Sequence, residues 1–309
     1  MRDKKKVFIL ILMVFMLCGC TKVLKDENNK VVVSPTTGQN VTENILCKPT
    51  SEEMIKIYED NNVDISKLPD CKDMKVTGKY ESIWNSIFVR PLAWLIVKLG
   101  EVVNSTGLAI ILITIGIRIL LFPVTQKTAM QSENMKKAQS KLEKLELKYR
   151  NRNDQESLMR KNQEMMAIYK EHNINPLSGC LFALIQIPLF FAFYEALYRL
   201  PVVFEEKVLG VDLGLTVSTA LANGKIYYII VSILVVLVTY YSFKLNSATN
   251  TANEQMKQMK SMTTFSTIMI GIASFTVSLG IALYWIINSG FTIIQNLIVK
   301  RSKKNDHIV

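Results

Sequence analysis

Residues 107–123 read GLAIILITIGIRILLFP. One charge, Arg118, interrupts an apolar run that extends from Leu108 to Val124. A helix rises about 1.5 Å per residue, so a run of this length nearly crosses the roughly 30 Å of hydrocarbon in a bilayer. An arginine at the centre of such a helix costs about 2.5–3.5 kcal/mol, and residues kept at that cost pair with something or face water.

Four more apolar runs follow, roughly Ser178–Leu200, Ile226–Phe243, Met262–Val277 and Ile281–Val299. The 309-residue chain is 49% hydrophobic yet 20% charged, the mixture produced by membrane helices joined by charged loops. The fourth and fifth runs are parted only by Ser278–Gly280. One helix over both would overshoot the bilayer, so a tight turn is expected at Gly280. Ahead of the first run, Trp84, Ile87, Phe88, Leu92, Leu95 and Leu99 recur at helical spacing, with Arg90, Lys98 and Glu101 elsewhere and Trp94 as an interface-seeking ring. Residues 81–103 therefore read as an amphipathic helix lying in the headgroup layer. The fold class is all-α and polytopic, with five transmembrane helices over residues 104–300.

The N-terminus carries Arg2, Lys4, Lys5 and Lys6, then an apolar run Val7–Leu17, then Cys18-Gly19-Cys20. This is the pattern of a signal peptide, assigned to residues 1–19. Its LCGC ending resembles a lipoprotein box, which makes Cys20 the lipidated first residue of the mature chain; the alternative is an uncleaved anchor. Residues 20–80 are polar and read as an extracytoplasmic, lipid-anchored tether with one short helix near Ser51–Asp60. Outside the cell, cysteines can pair. With Cys18 removed, Cys20 lipidated and Cys180 in a membrane run, Cys47 and Cys71 remain to form a disulfide; the alternative is two free thiols.

Charge sets the orientation. Residues 127–172 hold eleven Lys or Arg against seven acids, and residues 244–260 hold three against one. The basic tail, residues 301–309, follows Lys300 and begins Arg301-Ser302-Lys303-Lys304. By contrast, Pro201–Asn223 holds Glu205, Glu206 and Asp212 against Lys207. The positive-inside rule places the three basic segments in the cytoplasm and the N-terminus outside, as the signal peptide independently requires. The net charge of +11 thus serves lipid and orientation, with no specific nucleic acid implied. Residues 126–172 are rich in Lys, Glu, Gln, Met and Leu and break at Asn151-Arg152-Asn153-Asp154, so an antiparallel helical hairpin is expected, with Leu142, Leu145 and Tyr149 facing Leu158, Met165 and Ile168. Its methionines (Met130, Met135, Met159, Met165, Met166) are read first as hairpin packing and second as a grip for apolar substrates.

With this orientation Arg118 lies roughly 9 Å above the cytoplasmic end of its run. The acid available within a run, Glu195, lies roughly 25 Å up, too far for an ion pair. Arg118 is therefore expected to face a water-filled cavity open to the cytoplasm. Other runs carry matching polar faces: Tyr228, Ser232, Thr239 and Ser242 on the third, and Trp285, Asn288, Thr292 and Gln295 on the fifth. Thr114 shares the Arg118 face, and Gln186 precedes Pro188, which is read as a kink in the second run. Interhelical hydrogen bonding is the plainer use for the Ser and Thr residues.

At these residues the chain resembles the YidC/Oxa/Alb membrane protein insertases. The stretches are GLAIILITIGIRILLFPVTQK (107–127), NPLSGCLFALIQIPLFFAFYEAL (175–197) and LYWIINSGFTIIQN (283–296), in the same order and with the charged hairpin between the first two. The likeness spans about residues 83–300, and the lipoprotein start matches the Gram-positive type. It departs at Val277-Ser278-Leu279-Gly280, where members commonly have Pro-Ala-Gly, and at Ser242, where many carry Gln. The resemblance implies five core helices around a hydrophilic groove that is open to the cytoplasm and lipid and closed outside. It implies Arg118 as the groove arginine and Trp285 as the fifth-helix tryptophan. The implied partners are nascent membrane proteins, the Sec translocon and membrane lipids, with ribosome contact through the basic segments as an extension. A small-solute transporter is the rival class. It calls for inverted repeats and paired broken helices, which five unequal runs do not offer. A lipoprotein scaffold would need neither Arg118 nor a polar groove.

No glycine-rich phosphate loop, zinc-ligand spacing or nucleophile elbow occurs, and the two histidines, His172 and His307, lie in a charged loop and the tail. The reading is of no enzyme, no cofactor and no metal.

Overall fold

The computed structural model describes residues 21–152, 154–175, 178–246 and 254–305. The signal peptide, Cys20 and the last four residues with His307 lie outside the described residues. The chain is mainly helical. In order it forms α1 (Glu52–Asp60), a 3-10 turn (Cys71–Asp73), a π turn (Asn85–Val89), α2 (Arg90–Val103), α3 (Thr106–Tyr149), α4 (Gln155–Glu171), α5 (Ser178–Tyr198) and α6 (Pro201–Glu205). A two-stranded hairpin, β1 (Lys207–Val208) and β2 (Val211–Asp212), precedes α7 (Val217–Ala222), a 3-10 turn (Ile226–Tyr228), α8 (Ile229–Asn246), α9 (Glu254–Ala273) and α10 (Leu279–Asn305). Among the described residues, helical segments Thr106–Tyr149, Ile226–Leu245 and Leu279–Ser302 are long and apolar enough to cross a membrane, and Ile185–Tyr198 and Ser261–Ala273 are shorter apolar helices.

Two compact units divide the chain. One comprises the described residues up to Thr114 with Ile187–Ser232 and Ala273–Trp285. The other comprises Ile115–Gln186, Ile233–Ile272 and the described residues from Ile286 onward.

The first unit begins with a small folded module where composition suggests only a polar tether. Isolated bridges pair Val23 with Thr42, Lys25 with Val31 and Val33 with Asn40, and turn Leu24 and Val41 inward to meet Ile45, Tyr58 and Ile65 in a core of their own. The Asp26 carboxylate accepts from the Asn28 and Lys30 amides and closes the first turn, where Asn29 adopts φ 63°. Helix α1 starts at Ser51, whose side chain accepts from Met54 N–H, and delivers Tyr58, whose hydroxyl donates to Thr42 O at 2.7 Å. Burial of that ring pushes the Tyr58 phenol above its ordinary range. A disulfide joins Cys47 and Cys71, with Cα atoms 4.7 Å apart. The module is polar overall because its few apolar residues alternate with polar ones along short ladders, a pattern too brief to read in one sequence.

Helix α2 has Pro91 in its first turn and ends at Asn104 in the left-handed region. It buries Leu92, Ala93, Ile96 and Val97, while Ile87, Phe88 and Leu95 are exposed. Apolar side chains thus cover two faces, one against protein and one outward, as suits a helix at a lipid boundary. The turn expected at Gly280 lies earlier, at residues 274–278: α9 ends at Ala273, and Ser278 Oγ accepts from Ile281 N–H at 3.4 Å to start α10. Gly280 instead allows close approach. Its N–H donates to Leu213 O at 2.8 Å, and a Cβ there would lie 3.0 Å from Val203 Cγ1.

The first apolar run and the first arm of the hairpin are one helix, α3, whose residues from Ile115 belong to the second unit. Pro123 gives up a backbone hydrogen bond inside α3, yet the helix continues to Tyr149. Asp154 caps α4 by accepting from Ser157 N–H at 2.8 Å, which holds its carboxyl below the usual range. The hairpin closes on Ala138, Leu142, Tyr169 and Ile174, with Met135, Met165 and Ile168 packed against them. Leu158, expected in that contact, is exposed, as are Met130, Met159 and Met166. Lys148 pairs with Glu164 at 2.6 Å and Lys141 pairs with Glu171, exposed pairs that add little beside the apolar cluster. The second half of the expected 244–260 loop is helical from Glu254.

Candidate functional site

Arg118 stands on α3 with 2% of its surface exposed. Its Nε–H donates to Asn288 Oδ1 on α10 at 2.7 Å, and its Nη2 donates to Gln186 Oε1 on α5 at 2.7 Å. A guanidinium has no acceptor, so both amides must present oxygen to it. Hydrogen bonds to a charged group contribute about 1.5–3 kcal/mol each, so two of them offset an insertion cost of about 3 kcal/mol. Protein amides from two other helices thus contact this buried guanidinium. Both of these acceptors are neutral amides.

The fifth-run polar face continues below. Gln295 Nε2 donates to Thr125 Oγ1 on α3 at 2.7 Å. Thr292 Oγ1 donates to Asn288 O and Asn296 Nδ2 to Thr292 O, so both turn to their own helix backbone. Arg118 to Thr125 and Asn288 to Gln295 are equal steps of about two helical turns, so α3 and α10 run parallel through this layer. Thr239 and Ser242 on α8 are buried in the same unit. Thr125 and Asn296 belong to the polar layer and were missed from sequence. The signal was available for Thr125, which follows Arg118 at helical spacing.

The remaining expected residues lie in the first unit. Thr114 is buried and donates to Ile110 O at 2.6 Å, within its own helix. Ser232 is buried, and its hydroxyl has no hydrogen-bond partner among the described residues. Trp285 is half-buried, with its ring edge-on to Phe190 at 5.2 Å. Phe193 stacks on Tyr284 at 4.2 Å beside them. Tyr228, read as part of the third-run face, hydrogen-bonds Asp212 in the loop instead.

A second polar cluster was not anticipated. Arg199, 1% exposed, donates to Glu81 at 2.7 and 2.8 Å, to Asn85 Oδ1 at 3.1 Å and to Asn44 O at 2.6 Å, and pairs with Glu195 at 3.4 Å. Glu195 also accepts from Trp84 Nε1 at 3.0 Å. The outer module, the segment before α2 and the end of α5 thus meet on one guanidinium. Glu195, in the last turn of α5, and Arg199, just past its end, stand four residues apart, which is the sequence signal that marks them as a pair. Among the described residues, no group of three or more His, Cys, Asp or Glu is placed to hold a metal ion.

A family model described as 60Kd inner membrane protein matches residues 98–306. The chain is similar to the membrane protein insertase YidC of Oceanobacillus iheyensis, 36% identical over 241 residues, which cover 76% of this chain and 91% of that one. It is similar to the membrane protein insertase MisCA of Bacillus subtilis, 33% identical over 236 residues, covering 75% and 86%. A solved chain described as an active YidC insertase with the first transmembrane domain resolved superposes with a TM-score of 0.49 at 21% identity, covering 80% of this chain and 50% of that one, a slight likeness that adds no weight. On the family match and the sequence identities, this chain belongs to the 60Kd inner membrane protein family, that of the YidC membrane protein insertases, and is a multi-pass membrane protein.

Proposed function

We propose that this chain inserts newly made membrane proteins into the cell membrane, alone or beside the Sec translocon, and that Arg118 receives the acidic side chains of their leading segments. The observation that carries this is the state of Arg118: a buried cation held by two neutral amides from two other helices. A bond from a guanidinium to a carboxylate is roughly twice as strong as one to a neutral acceptor, so an acidic client displaces an amide and keeps the cation satisfied. The client's polar segment then crosses less hydrocarbon, and its apolar span partitions sideways into lipid. No covalent bond is made or broken, so no catalytic residue and no cofactor are assigned.

The polar groups of the second unit (Arg118, Gln186, Thr239, Ser242, Asn288, Thr292, Gln295) make up the client-facing layer. Thr114, Ser232 and Trp285 belong to the first unit and are left out of this layer. Five spans are assigned, with a lipidated Cys20 and the N-terminus outside and the basic hairpin and tail in the cytoplasm. The parallel run of α3 and α10 supports the span count alone, because two helices separated by three further spans point the same way. The test is insertion by the purified protein in proteoliposomes. Insertion of a short client with an acidic tail is expected. Its failure, with solute uptake in its place, would assign the chain to transport.

A further inference from the structure

The strands β1 and β2 are joined by Leu209 and Gly210, at φ 52° and 80°. Such a two-residue turn needs a left-handed backbone at both positions, and Asn or Asp ordinarily stands first because it tolerates that conformation. A leucine there is strained. The protein returns nothing for it, since Leu209 is 98% exposed. A strained, fully bare leucine at a loop tip marks a contact outside the chain.

Its surroundings identify that contact. Glu206, just before β1, accepts from the N-terminal amide of α3, Thr106 N–H, at 2.7 and 2.8 Å. Val208 lies so close to Gly107 that a Cβ there would sit 2.2 Å from Val208 Cγ2. On the other side, Asp212 N–H donates to Tyr228 OH at 3.1 Å, at the start of the apolar segment Ile226–Leu245. The hairpin is thereby pinned to the first turns of two apolar helices, at the level where both leave the bilayer. Leu108, Ile226 and Tyr227 are exposed at those same ends. Lys207 and Lys225, both paired with Asp212, place their ammonium groups at headgroup height. Aromatic and basic residues at this depth are the usual border of a membrane surface.

We propose that the 207–212 hairpin is an interfacial anchor whose Leu209 inserts among lipid acyl chains just below the headgroups and fixes the depth of α3 and α8. The inference rests on those helices crossing the bilayer. The test is a polarity-sensitive fluorophore on Leu209→Cys, Leu120→Cys or Lys67→Cys, each in a Cys180→Ser background in phosphatidylglycerol–phosphatidylethanolamine vesicles, with the label bound by the parent protein subtracted. Leu120 is 79% exposed on α3, and the Lys67 side chain is 86% exposed on the outer module. The label at 209 should emit blue-shifted relative to 67 and be quenched several-fold more by lipids with a shallow quencher than by lipids quenched at the chain end. A label at 209 that matches 67, while 120 reports hydrocarbon, overturns the anchor. Quenching at 209 that disappears when the protein is diluted into excess lipid assigns the tip to a second copy and also overturns it. If 120 reports water, the span assignment itself fails. Leu209 has almost no surface in contact with protein, so its replacement leaves the fold intact.

Discussion

Arg118 offers the most direct test of the proposed mechanism. A carboxylate from a client that binds the guanidinium through two charged hydrogen bonds gains about 3 kcal/mol or more. Arg118→Ala removes this and should slow insertion of an acidic-tailed client about 100-fold, since about 1.4 kcal/mol corresponds to a factor of ten. Arg118→Glu, which adds repulsion, should be at least as severe. Arg118→Lys keeps the charge but has one ammonium where the guanidinium serves Asn288 and Gln186 at 2.7 Å each, so it loses about one charged bond and roughly tenfold in rate. The assay is protease protection of a radiolabelled client inserted into proteoliposomes, run in parallel with a client whose leading tail has no acid. The second client should be nearly indifferent to all three substitutions. Melting of each variant in detergent separates loss of function from loss of fold. Full activity of Arg118→Ala on the acidic client would refute the electrostatic role.

Three further outcomes follow from the same geometry. The Cys47–Cys71 disulfide closes a loop with a sequence separation of 24, which in the chain-entropy model stabilises the outer module by about 3.5 kcal/mol; reduction should shift gel mobility and expose the module to protease, and free thiols at both sites in native membranes would end the assignment. Arg199→Met leaves Glu81 and Glu195 without their cation, and breaking a buried pair in this way costs about 3–5 kcal/mol, so the module should become protease-sensitive at a lower temperature; unchanged melting would show the cluster to be dispensable. Neutralising Lys300, Arg301, Lys303 and Lys304 should weaken ribosome co-sedimentation more at low salt than at high salt while topology survives; unchanged binding with inverted topology would reduce these charges to orientation signals.

The sequence by itself determined the class of this protein. Five long apolar runs, a basic hairpin and the motif around Arg118 are one-dimensional signals, because the bilayer is a solvent whose thickness is read directly as residue count. The hairpin was legible for the same reason, since its apolar residues repeat with the helix. The faces of the fifth helix were also readable, because Asn288, Thr292 and Gln295 share a period with Arg118 on α3.

Only the tertiary structure decided which of those residues touch. Periodicity places Gln186, Asn288 and Arg118 on faces, but their meeting requires three helices distant in sequence, as do the bonds to Arg118 at 2.7 Å. The Arg199 cluster gathers Asn44, Glu81, Asn85 and Glu195 from three segments, and the local spacing of Glu195 and Arg199 announces only one of its contacts. The folded module over residues 21–74 was hidden because isolated bridges and a five-residue core leave a composition almost indistinguishable from a tether. The turn before α10 fell at residues 274–278 rather than at Gly280 because a glycine can serve close packing as well as a bend, and only the neighbours Val203 and Leu213 reveal which. Hydrophobic length is a property of the chain, whereas hydrogen-bond partnership is a property of the space into which it folds.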